Sequence, residues 1–452
     1  MKVKFLSQTM EQRRERILNG NALPTILMIS LPTLMMGAVQ SLIPVMDGLF
    51  LNNLVGTTAA SAVTYCTPVV NMMTALAQGL SAAGMAIIGQ CNGRGDFEES
   101  RRTTVQLIIF AFILGFILAP ILVVVGFVLS GHVNADIAHN VLIYISLNAL
   151  VIPFSFLESI YNAIKNANGK PEDSFIRMLI MLILKILFNA LFVGLFSWGL
   201  IGSVMASLAS NILITVWMFY ELFVSEKGER LEFKGFHFEK EIIKKLLFIG
   251  FPSMLSNLML NLGFFLINTE VEKYGAIILN GQGIANNITS VCFILPASFG
   301  SAVTTMVSMN IGAGQPKRAK HACLVGCIVS AVTAALLIAI IVPSSSHLTV
   351  LFTRKPEVLS VANKALHIYT YSVIGFGIAM VEQGAFIGLG KTRITLVMSI
   401  LRVWLLRYIF ILLTESYLSY YAVFWGNLFS NYGAALISTI LILRVKWKSA
   451  IH

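Results

Sequence analysis

Charge is what this chain has least of. Only 12% of its 452 residues are Asp, Glu, Lys or Arg, against 57% hydrophobic, and a mean hydropathy of +0.81 excludes a water-soluble globular protein of this length. The little charge there is runs short of acid, with 21 carboxylates facing 32 Lys and Arg. An enzyme buried in a membrane would need a clustered acid, base or nucleophile. His132 and Asp136 fall in the string HVNAD, expected in an outer loop, and no paired acidic motifs mark a metal-dependent prenyl or phosphoryl transferase, so the sequence reads as a non-enzyme without a cofactor. Cysteine is sparse as well. Cys66, Cys91, Cys292, Cys323 and Cys327 are odd in number and scattered among apolar runs, which argues against a disulfide framework. Cys323 and Cys327 lie four apart on one helix face but have no His or carboxylate at ligand spacing, and read as packing residues. The start, MKVKFLSQTMEQRRERILNGNALP, is basic but too long and polar, without a small-residue cleavage site, for a signal peptide.

What is present is apolar length. A hydrocarbon core about 30 Å thick takes roughly 20 helical residues at about 1.5 Å each. Stretches of that kind fall near residues 23–51, 59–91, 104–128, 138–163, 174–196 and 199–223, then 246–269, 277–309, 322–343, 364–389, 393–414 and 420–444. The expected fold is an all-α polytopic membrane protein of twelve transmembrane helices. The longest polar stretch, SEKGERLEFKGFHFEKEIIKK, divides them into two groups of six. The expected organisation is an N-terminal segment 1–22, a first lobe 23–223, a linker 224–245, a second lobe 246–444 and a tail 445–452.

The positive charge follows topology. Lys2, Lys4, Arg13, Arg14, Arg16, Arg94, Arg101, Arg102, Lys227, Arg230, Lys234, Lys240, Lys244, Lys245, Arg444, Lys446 and Lys448 fall on one side of the twelve spans, whereas Lys273, Arg354, Lys355 and Lys364 fall on the other. The positive-inside rule puts both termini in the cytoplasm. The net charge of +11 therefore records orientation in a bilayer and gives no reason to expect nucleic acid as a partner.

The two groups repeat. Ser30-Leu31-Pro32 matches Gly250-Phe251-Pro252, Gly93-Arg94-Gly95 matches Gly312-Ala313-Gly314, and Gly169-Lys170 matches Gly390-Lys391, at separations of 220, 219 and 221 residues. Six spans in each half give both halves the same orientation, so a pseudo-twofold along the membrane normal should relate them, with a substrate cavity between them, as in alternating-access transporters.

Polar groups inside the spans are the functional candidates. Asp47 is the one acid of the first span, either functional or an interfacial helix cap. Lys185 and Asn189 lie four apart on one face of the fifth span, and Ser207 lies in the sixth. Glu158 and Asn162 in the fourth span and Asn257, Asn261, Asn268, Glu382, Arg402 and Arg407 in the second half are either structural partners within the bundle or substrate-linked. Ala385 to Thr392, AFIGLGKT, satisfies a loose Walker A pattern, but its glycines close an apolar span instead of joining a strand to a helix. Driving energy is expected from an ion gradient.

The run ISLPTLMMGAVQSLIPVMDGLFLNNLVG, with Gln40 and Asp47, resembles the first helix of multidrug and toxic compound extrusion (MATE) transporters. GQCNGRGDFEESRR, YNAIKNANGKP, FSWGLIGSVMAS and MNIGAGQPKRAKHA are similar to later motifs of the same family, in order, and the likeness covers nearly the whole chain. The resemblance implies a V-shaped pair of six-helix lobes in a prokaryotic plasma membrane, working as a monomer. It also implies efflux of organic cations or amphiphilic drugs in exchange for protons or sodium.

In the DinF-like prokaryotic branch the ion site pairs the helix-one acid, here Asp47, with an asparagine and an aspartate of the fifth helix, where this chain has Lys185 and Asn189, and with a sixth-helix threonine, here Ser207. The seventh-helix glutamate of the NorM-like branch is replaced by Leu260, beside Asn257 and Asn261. Protons are therefore expected over sodium as the coupling ion, with Lys185 paired to Asp47 or Glu158, or else snorkelling to an interface. The alternative function is a flippase for a lipid-linked or anionic amphiphile, which Lys185, Arg402 and Arg407 would suit.

Overall fold

A computed structural model of the chain describes residues 9–133, 135–225, 230–232 and 236–450. Lys2, Lys4, Lys227, Lys234 and the side chain of Asp136 lie outside what is described. Every regular element among the described residues is helical. The chain opens with α1 (Met10–Asn19), started by a capping box in which Thr9 and Gln12 each bond the other's backbone. There follow α2 (Ala22–Phe50), α3 (Thr57–Arg94), α4 (Phe97–Ser130), α5 (Ala135–Ala167), α6 (Pro171–Asn189) and α7 (Gly199–Phe219). The second half holds α8 (Lys240–Glu272), α9 (Ala276–Gly312), α10 (Pro316–Val350), α11 (Pro356–Tyr371), α12 (Val373–Gly388), α13 (Thr392–Ile400), α14 (Phe410–Leu418) and α15 (Tyr421–Arg444). π-Helical runs at Leu51–Val55, Ala190–Leu195, Tyr220–Val224 and Leu401–Ile409 extend α2, α6 and α7 and join α13 to α14.

Each apolar stretch of the sequence falls on these helices to within a residue at its ends, the stretch 364–389 being broken at Ser372 between α11 and α12. Eleven helices among the described residues are long and apolar enough to cross a bilayer, and α11 with α12, bent by 43°, makes twelve when counted as one span. The bend is built by polar contacts at Ser372, whose hydroxyl bonds Asn427 Oδ1 at 3.1 Å and accepts from Asn431 Nδ2 at 3.1 Å. Helix ends run past the apolar limits because polar caps carry them. Helix α4 starts at Phe97, where the Asp96 carboxylate accepts from the Glu99 amide, and α8 starts at Lys240, inside the expected linker.

The faces are sorted for lipid. In α4, Phe116, Val124 and Phe127 are exposed, while Ser100, Thr104, Gln106 and Gly115 are buried, an arrangement that water would punish and hydrocarbon does not. The repeat is visible in the backbone. Gly95, Gly314, Gly169 and Gly390 turn the chain after α3, α9, α5 and α12 with φ of +78°, +71°, +70° and +74°, conformations open to a residue without Cβ.

The chain divides into two compact units. The Asp47 unit comprises Met35–Ile88 and Asp96–Met254; the Arg402 unit comprises Met1–Leu34, Gly89–Gly95 and Leu255–His452. Three of the cuts fall inside α2, α3 and α8, and the fourth falls in the turn between α3 and α4.

Candidate functional site

In the Asp47 unit, Asp47 sits near the end of α2, one turn before the π-helical run that closes it. From α6, Lys185 and Asn189 project together, because four residues return a helix to the same face. Lys185 Nζ lies 2.5 Å from Asp47 Oδ2, and Asn189 Nδ2 donates to Asp47 Oδ1 at 3.0 Å. Each carboxylate oxygen thus meets one donor. The side chains of Lys185 and Asp47 are 9% and 21% exposed, so the pair is mostly withdrawn from solvent. Asn189 Oδ1 is buried and accepts no hydrogen bond. The Ser207 hydroxyl donates to the carbonyl of Ser203 on its own helix α7, at 3.2 Å.

Glu158, the other carboxylate expected near Lys185, is occupied elsewhere. Arg177 Nη2 lies 3.1 Å from Glu158 Oε1 and 3.0 Å from Asn162 Oδ1, so both α5 residues serve an arginine of α6. Beyond it, Lys165 bridges Asp173 at 3.0 Å and Glu221, and Tyr161 donates to Glu221 at 2.6 Å. Arg177 and Lys165 both lie over the Tyr161 ring, each 5.3 Å from its centroid. Sequence reasoning missed Arg177, Lys165 and Glu221. Their signal was charge at the span ends: Lys165 lies just beyond the stretch 138–163, and Arg177 and Glu221 lie within a turn of the ends of 174–196 and 199–223. Gln40 is exposed on α2.

The remaining candidates belong to the Arg402 unit and do not form one constellation. Asn261 Nδ2 donates to the Asn257 carbonyl one turn back, at 2.9 Å. Glu382 is buried in α12 and accepts from the hydroxyls of Ser438 and of Thr439, the latter at 2.7 Å, and makes no ion pair among the described residues. Arg402 is buried with its guanidinium 5.3 Å from the Phe376 ring centroid. The Walker-like string makes no phosphate cradle. The amides of Gly390 and Lys391 donate to the carbonyls of Ile387 and Phe386 at 2.8 Å, and Lys391 Nζ holds the Lys446 carbonyl at 2.5 Å. Among the described residues, no group of three His, Cys, Asp or Glu converges as a metal site would require.

A family model described as MatE matches residues 32–191 and 252–413, one segment in each half. A probable multidrug resistance protein, YoeA of Bacillus subtilis, is 23% identical over 388 residues, covering 82% of each chain. Among solved structures, the outward-facing conformation of a multidrug resistance MATE family transporter of the MOP superfamily superposes with a TM-score of 0.88 at 21% identity, covering 94% of this chain and 96% of that one. A MOP superfamily transporter from Pyrococcus furiosus, described as having a binding pocket of reverse polarity that suggests a different function, gives 0.89 at 21% identity over 96% and 97%.

Proposed function

This chain belongs to the MATE family, and from that premise we propose that it exports amphiphilic compounds, organic cations among them, by antiport against protons without a sodium requirement. The observation that carries the reading is the Lys185 ammonium 2.5 Å from Asp47. A lysine there fills with its own charge the place beside the carboxylate that a sodium ion would need, and leaves the trio of Asp47, Lys185 and Asn189 formally neutral.

A proton can still enter the cycle. Protonating Asp47 removes the attraction that holds Lys185, and Asn189 Oδ1, now without a donor, can accept from the new carboxyl hydrogen. The lysine is then released to a second position, and the two arrangements form a bistable element that a proton gradient can bias. Glu158 is held by Arg177 and does not compete for the lysine. The orientation we infer puts both termini in the cytoplasm of a bacterial cell, with the chain spanning the plasma membrane as a monomer.

The test is flux of a fluorescent amphiphilic cation from proteoliposomes in sodium and in choline media, with and without an imposed pH gradient. The parent should respond to the pH gradient equally in both media, and Asp47→Asn should abolish that response. Sodium-stimulated flux in the parent would sink the reading. Lys185→Asn with Asn189→Asp, which restores an open acidic site, should gain sodium dependence.

A further inference from the structure

The fifth helix of each half carries a buried cation, and only one of the two has its acid. Arg407 stands 222 residues beyond Lys185, within a residue or two of the repeat separation set by the paired glycine motifs. The position 220 beyond Asp47 is Ile267, buried in the apolar cluster that also holds Tyr369 and Val403. The repeat has kept the cation and replaced the anion with a branched alkane.

Arg407 is not alone. It and Arg402 lie five apart in the π-helical run Leu401–Ile409, where the backbone ladder closes every fifth residue, so both leave the helix on one side. They are 8% and 5% exposed, and among the described residues neither makes an ion pair. Each stacks on an aromatic face, Arg402 on Phe376 and Arg407 on Phe264, at 5.3 Å and 5.7 Å from the ring centroids. Those rings meet the guanidiniums but offer no acceptor to their in-plane N–H groups. Tyr369 lies against both Gln282 and Arg407. No well-formed hydrogen bond is made by Arg402 Nη1, Arg407 Nε, Gln282 Nε2 or the Tyr369 hydroxyl, all of them buried.

Three of these atoms are N–H donors, and the Tyr369 hydroxyl, which can also accept, is shared between Gln282 and Arg407, so that Arg402 Nη1 has no share in it. Buried donors without acceptors are costly, and a natural fold seldom leaves several in one neighbourhood unless something supplies the acceptor. No carboxylate acts on either guanidinium among the described residues, and two acids of the same unit are engaged with other groups: Glu270 with Lys273 and Tyr408, and Glu382 with Ser438 and Thr439. We propose that Arg402, Arg407, Gln282 and Tyr369 form a binding site for an oxyanion, the carboxylate, sulfonate or phosphate group of an amphiphile, inside the Arg402 unit. The guanidinium forks suit a planar or tetrahedral oxyanion, and the surrounding Phe264, Phe376 and Ile267 suit the hydrocarbon attached to it. The inference rests on the reading of the chain as a carrier of amphiphiles, and extends its range to amphiphiles with an oxyanion, zwitterions included.

Equilibrium binding tests the site without requiring transport, so its failure is separable from failure of proton-coupled efflux. The full chain in phosphatidylcholine nanodiscs should bind radiolabelled deoxycholate saturably. Arg402→Gln and Arg407→Gln should each weaken that binding about tenfold or more, leave tetraphenylphosphonium binding unchanged, and not lower the unfolding temperature, because each removes an uncompensated buried charge. Arg407→Lys keeps the charge without the fork and should retain part of the affinity. If phosphatidylglycerol discs compete deoxycholate off the parent but not off the variants, the occupant is a lipid headgroup; without such competition it is a free amphiphile. No saturable deoxycholate binding to the parent in either lipid, or binding that survives both glutamine substitutions, overturns the proposal. So does a lower unfolding temperature with unaltered binding, which would make the arginines structural.

Discussion

Gly93 and Gly312 exchange close approaches. A Cβ added to Gly93 would stand 2.0 Å from the carbonyl oxygen of Met309, and one added to Gly312 would stand 2.1 Å from that of Gln90. The two glycines are repeat-related, 219 residues apart, and the ends of α3 and α9 pass backbone to backbone because neither has a side chain there. Around this crossing, Arg14 donates to the carbonyls of Asn92 and Gly93 at 2.8 Å, and Gln90 Nε2 donates to that of Gly388 at 2.8 Å.

The first prediction follows from that crossing. Gly93→Ala or Gly312→Ala must push two backbones apart, at a cost of about 1–3 kcal/mol typical of overpacking. Thermal unfolding in detergent should shift down for each. Gly283, where an added Cβ meets nothing within 4 Å, provides the comparison, and Gly283→Ala should leave the midpoint nearly unchanged.

The second concerns the pair in the Asp47 unit. Asp47→Asn leaves an ammonium buried without its counter-charge, and Lys185→Met leaves a carboxylate; breaking such a pair costs about 3–5 kcal/mol when burial is full, and less here because Asp47 is partly exposed. The double variant should recover most of the loss. Chemical denaturation of all four proteins, read as a double-mutant cycle, measures the coupling, and additive losses would rule out a direct pair.

Glu382 supports a third. Its carboxylate is surrounded by hydroxyl donors and no cation, so Glu382→Gln keeps an acceptor for Ser438 and Thr439 and should preserve the fold. Glu382→Ala takes the carboxylate from the buried Ser438 hydroxyl, which keeps only the Ala435 carbonyl, and from the half-buried Thr439 hydroxyl, at about 1–3 kcal/mol. Comparison of unfolding midpoints decides it: equal losses for Gln and Ala would show that the charge itself matters.

The fourth prediction is a pH dependence at Lys391, which lies outside the spans. Burial, and then the Lys446 charge, holds its ammonium below the usual lysine range. The unfolded chain then binds more protons than the folded one between the lowered and ordinary values, so this residue makes stability rise with pH across that window. Lys391→Met should flatten the rise in unfolding temperature over the alkaline range. It should also leave transport indifferent to ATP, since Lys391 holds a backbone carbonyl of the tail.

The spans were legible because each is a long apolar run with one physical requirement, the thickness of hydrocarbon. Asp47, Lys185 and Asn189 were legible because helical spacing puts two of them on one face and a lone ammonium in the membrane needs an acid. The bond that the Ser207 hydroxyl makes, to the Ser203 carbonyl of its own helix, has no mark in the sequence, because a hydroxyl in a helix can satisfy itself on its own backbone or reach a neighbour. The Arg177 and Lys165 networks join three helices, and nothing in a linear pattern says which charge on one helix meets which on another. The π-helical runs were equally hidden, since an altered ladder is chosen by packing against neighbours and not by the residues' own propensities.

The run from Leu401 to Ile409 shows what that hidden ladder implies. In an ordinary α-helix five residues turn through about 500°, which would aim Arg402 and Arg407 some 140° apart. The separation of Lys185 from Arg407, 222 residues, is one longer than the longest of the 219 to 221 residues between the motif pairs. Excising one residue from this run would restore ordinary winding, point the two guanidiniums in different directions, and rotate Phe410–Leu418 by about 100° relative to everything before it. The second half of the molecule thus aims its paired arginines through a wide turn, whereas the π-helical run in the fifth span of the first half, Ala190–Leu195, begins only after Lys185 and Asn189.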